Sequence, residues 1–325
     1  MKTQAPELSI VMSVYNGEDD LDETLESILS QKGCDFEVIV VDDGSQDRSA
    51  EILAGYCGRH RRLRVLHQEN QGLTRALIRG CEEASGRYIA RHDVGDVSHA
   101  DRLRLQREAL DSDPDLTFVS CWTQFCGPAG EPLYVSRGQG QASRPIRILS
   151  QDRRRPFVAG PSHHASVVFR RETYEKVAGY REEFYYCQDW DLWGRLAEHG
   201  TFQMLEEVLY TARFLPGGIS AQNRRRQRLL GKLQDEASWL RRSGKSEVPV
   251  LQRARAIRPS QGSRSSRRRT ASGNYYIGSC LLANGDFAGL AYLRKALVLN
   301  PFSLKCWLRL AQGYGRRKAS AAPRA

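Results

Sequence analysis

R-Y-I-A-R-H-D-V-G-D, Arg87 to Asp96, runs a short apolar strand into two carboxylates three residues apart. Asp and Gly are turn-formers, so a lone pair of this kind reads first as a loop. Working outward, L-S-I-V-M-S-V-Y-N-G-E (Leu8 to Glu18) and F-E-V-I-V-V-D-D-G-S-Q-D (Phe36 to Asp47) repeat the pattern, each carrying apolar strand residues straight into a polar terminus. Three strand ends therefore hold Asn16, Asp42, Asp43, Asp93 and Asp96. In an open α/β sheet, ligands bind in the crevice outside the carboxyl ends of the strands.

Around these ends the hydrophobic period alternates. Strands are expected at 8–15, 36–42, 63–67 and 87–92, and helices at about 19–31, 47–57, 72–84 and 99–111. Repeated βα predicts an α/β fold with a mainly parallel sheet covered by helices on both faces. A further apolar strand is read at Leu116 to Trp122, then an irregular section at about 127–160, then H-H-A-S-V-V-F-R as another buried strand. D-W-D-L-W-G-R-L-A-E-H-G, Asp189 to Gly200, reads as a helix closed by glycine.

The chain of 325 residues is 40% hydrophobic, enough for one sizeable domain and an appendage. Its first residues read as a strand instead of a signal peptide, and no run approaches the roughly 18 apolar residues of a membrane span. Eight cysteines without C-x-x-C pairs suggest free thiols in a reducing cytosol. The net charge of +11 conceals an asymmetry: residues 1–220 carry 26 Lys and Arg against 34 Asp and Glu, whereas residues 221–325 carry 23 against 4. The acidic part is expected to handle metal and chemistry. The basic part is expected to face an anionic membrane, a nucleic acid or an acidic partner. Nucleic acid is the poorer fit, because residues 221–272 hold no aromatic besides Trp239 to interleave with the arginines.

Composition divides the chain into 1–220, the α/β domain; 221–272, a basic helix and an Arg/Ser-rich linker; and 273–325, a helical segment. Within the last, Tyr276, Gly278 and Leu282, then Ala291 and Ala296, then Pro301, resemble one tetratricopeptide-type unit. A single such unit cannot bury its own apolar face.

S-V-Y-N-G-E at 13–18, V-V-D-D-G-S-Q-D at 40–47, N-Q-G-L-T-R-A-L at 70–77, R-H-D-V-G-D at 91–96 and Q-D-W-D-L-W-G-R-L-A at 188–197 resemble, in order, the motifs of family-2 glycosyltransferases. The resemblance covers roughly residues 7–220 and implies a GT-A fold acting on a nucleotide-sugar donor, a UDP-sugar first. It implies that Tyr15, Asn16, Asp42 and Asp43 line the base and ribose, and that Arg75 approaches the diphosphate. Capping of the helix that follows is compatible with Asp42 and Asp43 as the lesser alternative. The resemblance also implies that Asp93 and Asp96 hold ribose and a divalent cation, Mg²⁺ or Mn²⁺, serving as a Lewis acid on the leaving oxygens. This chain departs from the usual Asp-x-Asp-Asp by carrying Gly95, which leaves Asp96 as the remaining expected ligand.

The same resemblance makes Asp189 the base that takes the acceptor proton in an inverting displacement, with Gln188 standing where Glu is usual. Gln188, Trp190 and His164 are the residues expected toward the acceptor. Trp193 is the alternative stacking ring, and Asp191 is expected to be a first-turn helix acid. P-S-H-H-A-S-V-V-F-R resembles the H-P-S-V-x-F-R segment of the family. Neighbouring histidines on a strand point to opposite faces, so only one of His163 and His164 is expected to reach the site.

A dinucleotide-dependent oxidoreductase is excluded by the lack of G-x-G-x-x-G after the first strand. The alternative function is a non-catalytic scaffold of the same fold, acting through its basic helical tail. The expected acceptor is a glycan or lipid-linked glycan, and the expected location is the cytoplasm, peripheral at the inner face of the plasma membrane.

Overall fold

L-S-I-V-M-S-V, Leu8–Val14, is apolar at five of seven positions and almost wholly buried, and it forms the first strand, β1, in the interior of a parallel sheet. It pairs in parallel with β2 (Phe36–Asp42) on one side and β4 (Tyr88–Asp93) on the other, and β3 (Leu63–His67) pairs with β2. The register sets Val14 beside Asp42 and Ser13 beside Asp93, so both acids leave the sheet at one edge.

Side chains alternate across the sheet. Leu8, Ile10, Met12 and Val14 of β1 meet Leu21, Leu25 and Ile28 of α1 (Leu21–Leu29), Leu53 of α2 (Ser49–Arg59), and Leu103 and Leu110 of α4 (Arg102–Ser112). Val11 and Ile39 face the other way, against Leu77 of α3 (Leu73–Glu82) and Leu192, Trp193 and Leu196 of α6 (Gln188–Ala197). Both faces are thus covered, as the apolar runs predict.

The computed structural model describes residues 5–152, 157–258 and 266–321, with the side chains of 219–222 and 318–321 left aside. Among these residues nine strands form one sheet of order β3-β2-β1-β4-β8-β6-β9-β5, with β7 on β6. The later strands are β5 (Val97–Ser98), β6 (Leu116–Cys126), β7 (Pro132–Ser136), β8 (Val168–Arg170) and β9 (Thr201–Arg213). Beyond β4 the pairings of β8 with β4 and β6, and of β5 with β9, are antiparallel. The long β9 was not expected from the sequence. α5 (Arg171–Lys176) follows β8 directly.

Two compact units divide the chain. The first comprises residues 1–123, 135–212 and 229–258; the second comprises 124–134, 213–228 and 259–325. α7 (Ile219–Arg242) breaks helical geometry at Asn223. Where composition suggested a linker, α8 (Val248–Arg255) forms, because Val250 and Ala254 bury against Phe184, Leu230, Leu233 and Ala237 in the first unit. In the second unit, α9 (Arg267–Ala283), α10 (Gly289–Leu299) and α11 (Leu304–Ala321) share a core of Leu282, Leu290, Leu293, Ala296, Leu297, Cys306 and Leu310. No helix among the described residues is long and apolar enough to cross a membrane.

Candidate active site

The end of β1 turns at Asn16, whose φ of 53° lies in the left-handed region that Asn tolerates. Its Oδ1 accepts from the Gln46 N–H at 2.8 Å and its own N–H donates to Ser45 Oγ at 3.0 Å, which ties the first loop to the second. Asp42 Oδ1 accepts from the Ser45 N–H at 3.0 Å, and Oδ2 lies 3.1 Å from His67 Nδ1. Asp43 accepts from the N–H groups of Gln71 and Gly72, both at 2.8 Å, and from Gln68 Nε2 at 2.7 Å. Both acids therefore fix loop backbone whatever else they contact. Tyr15 beside them is half exposed.

Gly72 has φ 88°, and a Cβ there would lie 2.5 Å from the Tyr185 hydroxyl, so glycine is required twice over. One helical turn on, Arg75 pairs with Glu182 at 3.0 Å. Gln71, Thr74, Arg75, Glu182, Tyr185 and Arg258 line a cavity of about 160 Å³. Thr74 Oγ1, buried, has no hydrogen-bond partner there.

At the end of β4, Asp93 gathers several charges. Arg91, 2% exposed, donates to Oδ1 at 2.5 Å, and His164 Nε2 meets Oδ2. Burial opposes ionisation of Asp93, yet Arg91 and His164 overcome it and hold the carboxyl well below the usual range. For His164 burial works against the charged form, and Asp93 raises it above the ordinary imidazole value. Burial and the His164 charge hold His163 well below that value.

Asp93, His163 and His164 each offer one ligand atom, all within 4.8 Å of one another. Two imidazoles and a carboxylate fit a transition-metal dication such as Mn²⁺ better than Mg²⁺, which favours oxygen ligands. Asp96 stands outside this trio. It is 5% exposed, accepts from the Tyr210 hydroxyl at 2.9 Å, and lies 3.9 Å from His163 Nδ1. Between the acids Gly95 adopts φ 90°, a conformation that disfavours an Asp at the position where the usual motif has one.

His164 meets Asp93 and His163 lies near both Asp93 and Asp96, so both histidines reach the site, which corrects the expectation that only one could. The strand begins only at Val168; His163 is extended and His164 opens a short 3₁₀ turn, His164–Ser166, so strand alternation does not apply. The turn is held from below by Arg102, fully buried, which donates to Arg91 O and Ala165 O, both at 2.9 Å, and sits over the Tyr210 ring. Arg91, Arg102 and Tyr210 escaped the sequence reading. Local patterning carries no signal for them: the two arginines owe their roles to tertiary burial, and Glu206 and Glu207 interrupt the alternation of the strand that carries Tyr210.

Asp189 enters the first turn of α6, half-buried, with Oδ1 accepting from the Trp190 N–H at 2.9 Å. Burial raises its carboxyl above the ordinary value, and the His164 charge counters this in part. Gln188 is buried with Oε1 unpartnered. Trp190 packs edge-on against Phe157 and Trp193, with ring centroids 5.2 Å apart in each case. Asp191 points elsewhere: it is 1% exposed and clamped by Arg181 Nε at 2.9 Å and Arg195 Nη2 at 2.6 Å.

Comparison with known proteins fits this geometry. EpsJ of Bacillus subtilis (strain 168), described as an uncharacterized glycosyltransferase, is 42% identical over 117 residues, 36% of this chain and 33% of EpsJ. The chain thus matches about a third of that relative's length. The crystal structure of S. aureus TarS 1–349 is similar over 98% of this chain and 93% of its own, with a TM-score of 0.53 at 15% identity; TarS 1–349 has also been solved with UDP-GlcNAc. The mannosyltransferase PcManGT of Pyrobaculum calidifontis, solved with GDP-Man and Mn²⁺, covers 98% of this chain and 89% of its own, with a TM-score of 0.51 at 17% identity. These likenesses show a GT-A fold. The model for glycosyl transferase family 2 matches residues 9–177, more than half of the chain, and the protein belongs to that family.

Proposed function

We propose that this protein is an inverting glycosyltransferase that moves a sugar from a nucleoside diphosphate to a hydroxyl of a glycan or lipid-linked glycan, at the cytoplasmic face of the membrane. The observation that carries the reading is the link through His164: its ring meets Asp93, and its charge bears on Asp189, a carboxyl raised by burial at a helix start. Such a carboxylate accepts the proton of the incoming hydroxyl as its oxygen attacks the anomeric carbon. The bond from that carbon to the diphosphate oxygen breaks, and the nucleoside diphosphate leaves with the electron pair. A carboxyl with a raised value is better matched to this work near neutrality than an ordinary Asp.

Donor binding falls to the first three strand ends. Tyr15 and Asn16 with the loop that Asp42 and Asp43 brace would take the base and ribose, a UDP-sugar first among candidates, and Arg75 would take the diphosphate. Asp93, His163 and His164 would hold the divalent cation, the imidazoles supplying the donors that Gly95 lacks. When bound, that ion neutralises charge on the leaving oxygens. Asp96, held by Tyr210, would steady His163 or join the coordination. The unpartnered Oε1 of Gln188 suits it to accept a hydrogen bond from the acceptor, beside Trp190.

The test is a thermal-shift panel of UDP-, GDP- and dTDP-sugars with and without Mn²⁺. At least one donor is expected to raise Tm with Mn²⁺ present, by mass action. No shift with any donor would overturn the reading. A shift without donor hydrolysis or transfer would favour the scaffold alternative, for which the missing acid at Gly95 is the specific observation.

A further inference from the structure

α11 has two apolar sides. At about 100° per residue, Cys306, Leu310 and Gly313 fall on one side and are buried in the helical core. Leu304, Trp307, Leu308 and Ala311 fall on the opposite side and are exposed. Leu304 is 71% exposed, Leu308 58% and Trp307 52%. The turn before the helix adds Phe302 at 94%, and the end of α10 adds Val298 at 74%. Five of the twelve most exposed large hydrophobics among the described residues lie within Val298 to Leu308. This concentration differs from the scatter of single apolar residues usual on a surface. The Trp307 Nε1–H donates to Pro301 O at 2.8 Å, which anchors the ring at the turn with half its surface outside.

Along the sequence, the charge of this segment has one sign. From Phe287 to Ala325 the chain carries eight Lys and Arg and no Asp or Glu. Lys295, Lys305 and Arg316 are exposed. Some arginines of 221–258 already have partners: Arg241 pairs with Glu198 and Glu247, Arg253 with Glu236, and Arg242 and Arg258 donate to the carbonyls of Ser150 and Glu182, while Arg224, Arg225, Arg228 and Arg255 are exposed.

We propose that Val298, Phe302, Leu304, Trp307 and Leu308 form a docking surface for an anionic lipid bilayer. A leaflet edge offers both things this surface lacks: negative headgroups for the lysines and arginines, and beneath them an apolar layer for Phe302 and the edge of Trp307. A second copy of the chain would bring like charge against like charge across the same contact. The inference does not depend on the transferase reading, since it uses no residue of the candidate active site.

The experiment is flotation of the full chain with vesicles of phosphatidylcholine alone and of phosphatidylcholine with phosphatidylglycerol. Binding is expected to the anionic vesicles only and to weaken in high salt. Phe302→Ser with Leu308→Ser is expected to weaken it by at least roughly tenfold, because two large side chains no longer leave water. Both positions are exposed, and circular dichroism checks that the fold is kept. Lys305→Glu with Arg316→Glu is expected to weaken it independently. Failure to bind anionic vesicles, or unchanged binding by the apolar variant, would overturn the proposal. So would light scattering that shows a dimer broken by that variant, since the surface would then belong to a second copy. Association with an acidic protein that abolishes vesicle binding at physiological salt would overturn it as well.

Discussion

The Tyr210 hydroxyl donates to Asp96 Oδ2 at 2.9 Å and accepts from the Asp93 N–H at 3.3 Å, so one phenol joins both carboxylates of the acid motif. The ring also stacks with His163 and lies under the Arg102 guanidinium. Tyr210→Phe keeps the packing and removes both hydrogen bonds. A bond to a buried carboxylate is worth about 1.5–3 kcal/mol, so loss of stability of that order is expected in urea denaturation. An unchanged midpoint would mean that Asp96 is held by other groups.

Arg75 is expected to contact the donor diphosphate, yet it is paired with Glu182, with about half of the Arg75 side chain exposed. An exposed pair is worth at most about 1 kcal/mol. Glu182→Gln is therefore expected to tighten donor binding, by no more than about fivefold in calorimetric titration. Arg75→Ala is expected to weaken it by more than that. Weaker donor binding in Glu182→Gln would show that Glu182 orients Arg75 for the ligand instead of competing with it.

The parallel half of the sheet was legible because β1, β2 and β4 are buried on both faces and read as short, mainly apolar runs ending in polar turns. The strand ends that carry Asp42 and Asp93 could be placed for the same reason, and the helix that opens near Asp189 by its helical period and closing glycine. β9 was not legible: Glu206 and Glu207 interrupt its alternation, and its pairing is set by distant residues such as Val97 and Ser98. With β9 unread, Tyr210 and its hold on Asp96 could not be foreseen. The shared reach of His163 and His164 was hidden because a three-residue 3₁₀ turn looks, in sequence, like the start of the strand that follows it. The roles of Arg91 and Arg102 depend on tertiary burial, which no local pattern reports.

Asp191 gives a prediction about pH. Burial alone would raise its carboxyl, but Arg195 and Arg181 reverse this and hold it below the ordinary value of 3.8. A carboxyl depressed in the fold contributes stability that is complete above its unfolded value and is lost as pH falls through the folded one. The unaltered protein is therefore expected to lose stability steeply below about pH 4, and Asp191→Asn to show a shallower slope. At neutral pH that variant leaves Arg181 and Arg195 short of a partner in a buried site and is expected to cost about 3–5 kcal/mol. Equal pH slopes in denaturation series of the two proteins would remove Asp191 from the account.

Asp189 is the residue on which the proposed chemistry turns, and its environment makes the test specific. Asp189→Asn keeps the shape and the acceptor oxygen that holds the Trp190 N–H, but it cannot take a proton. Transfer is expected to fall by about 10²-fold or more, with donor affinity within a few-fold of the unaltered protein. Because burial raises this carboxyl, the acid limb of the turnover profile is expected above the ordinary Asp value of 3.8: activity falls as pH drops through the raised value, where the base becomes protonated. His164 lowers it, so His164→Ala is expected to move that limb to higher pH as well as to weaken cation-dependent donor binding. A limb that stays in place in His164→Ala would separate Asp189 from the charge seen beside it, and undiminished transfer in Asp189→Asn would assign the proton to another group.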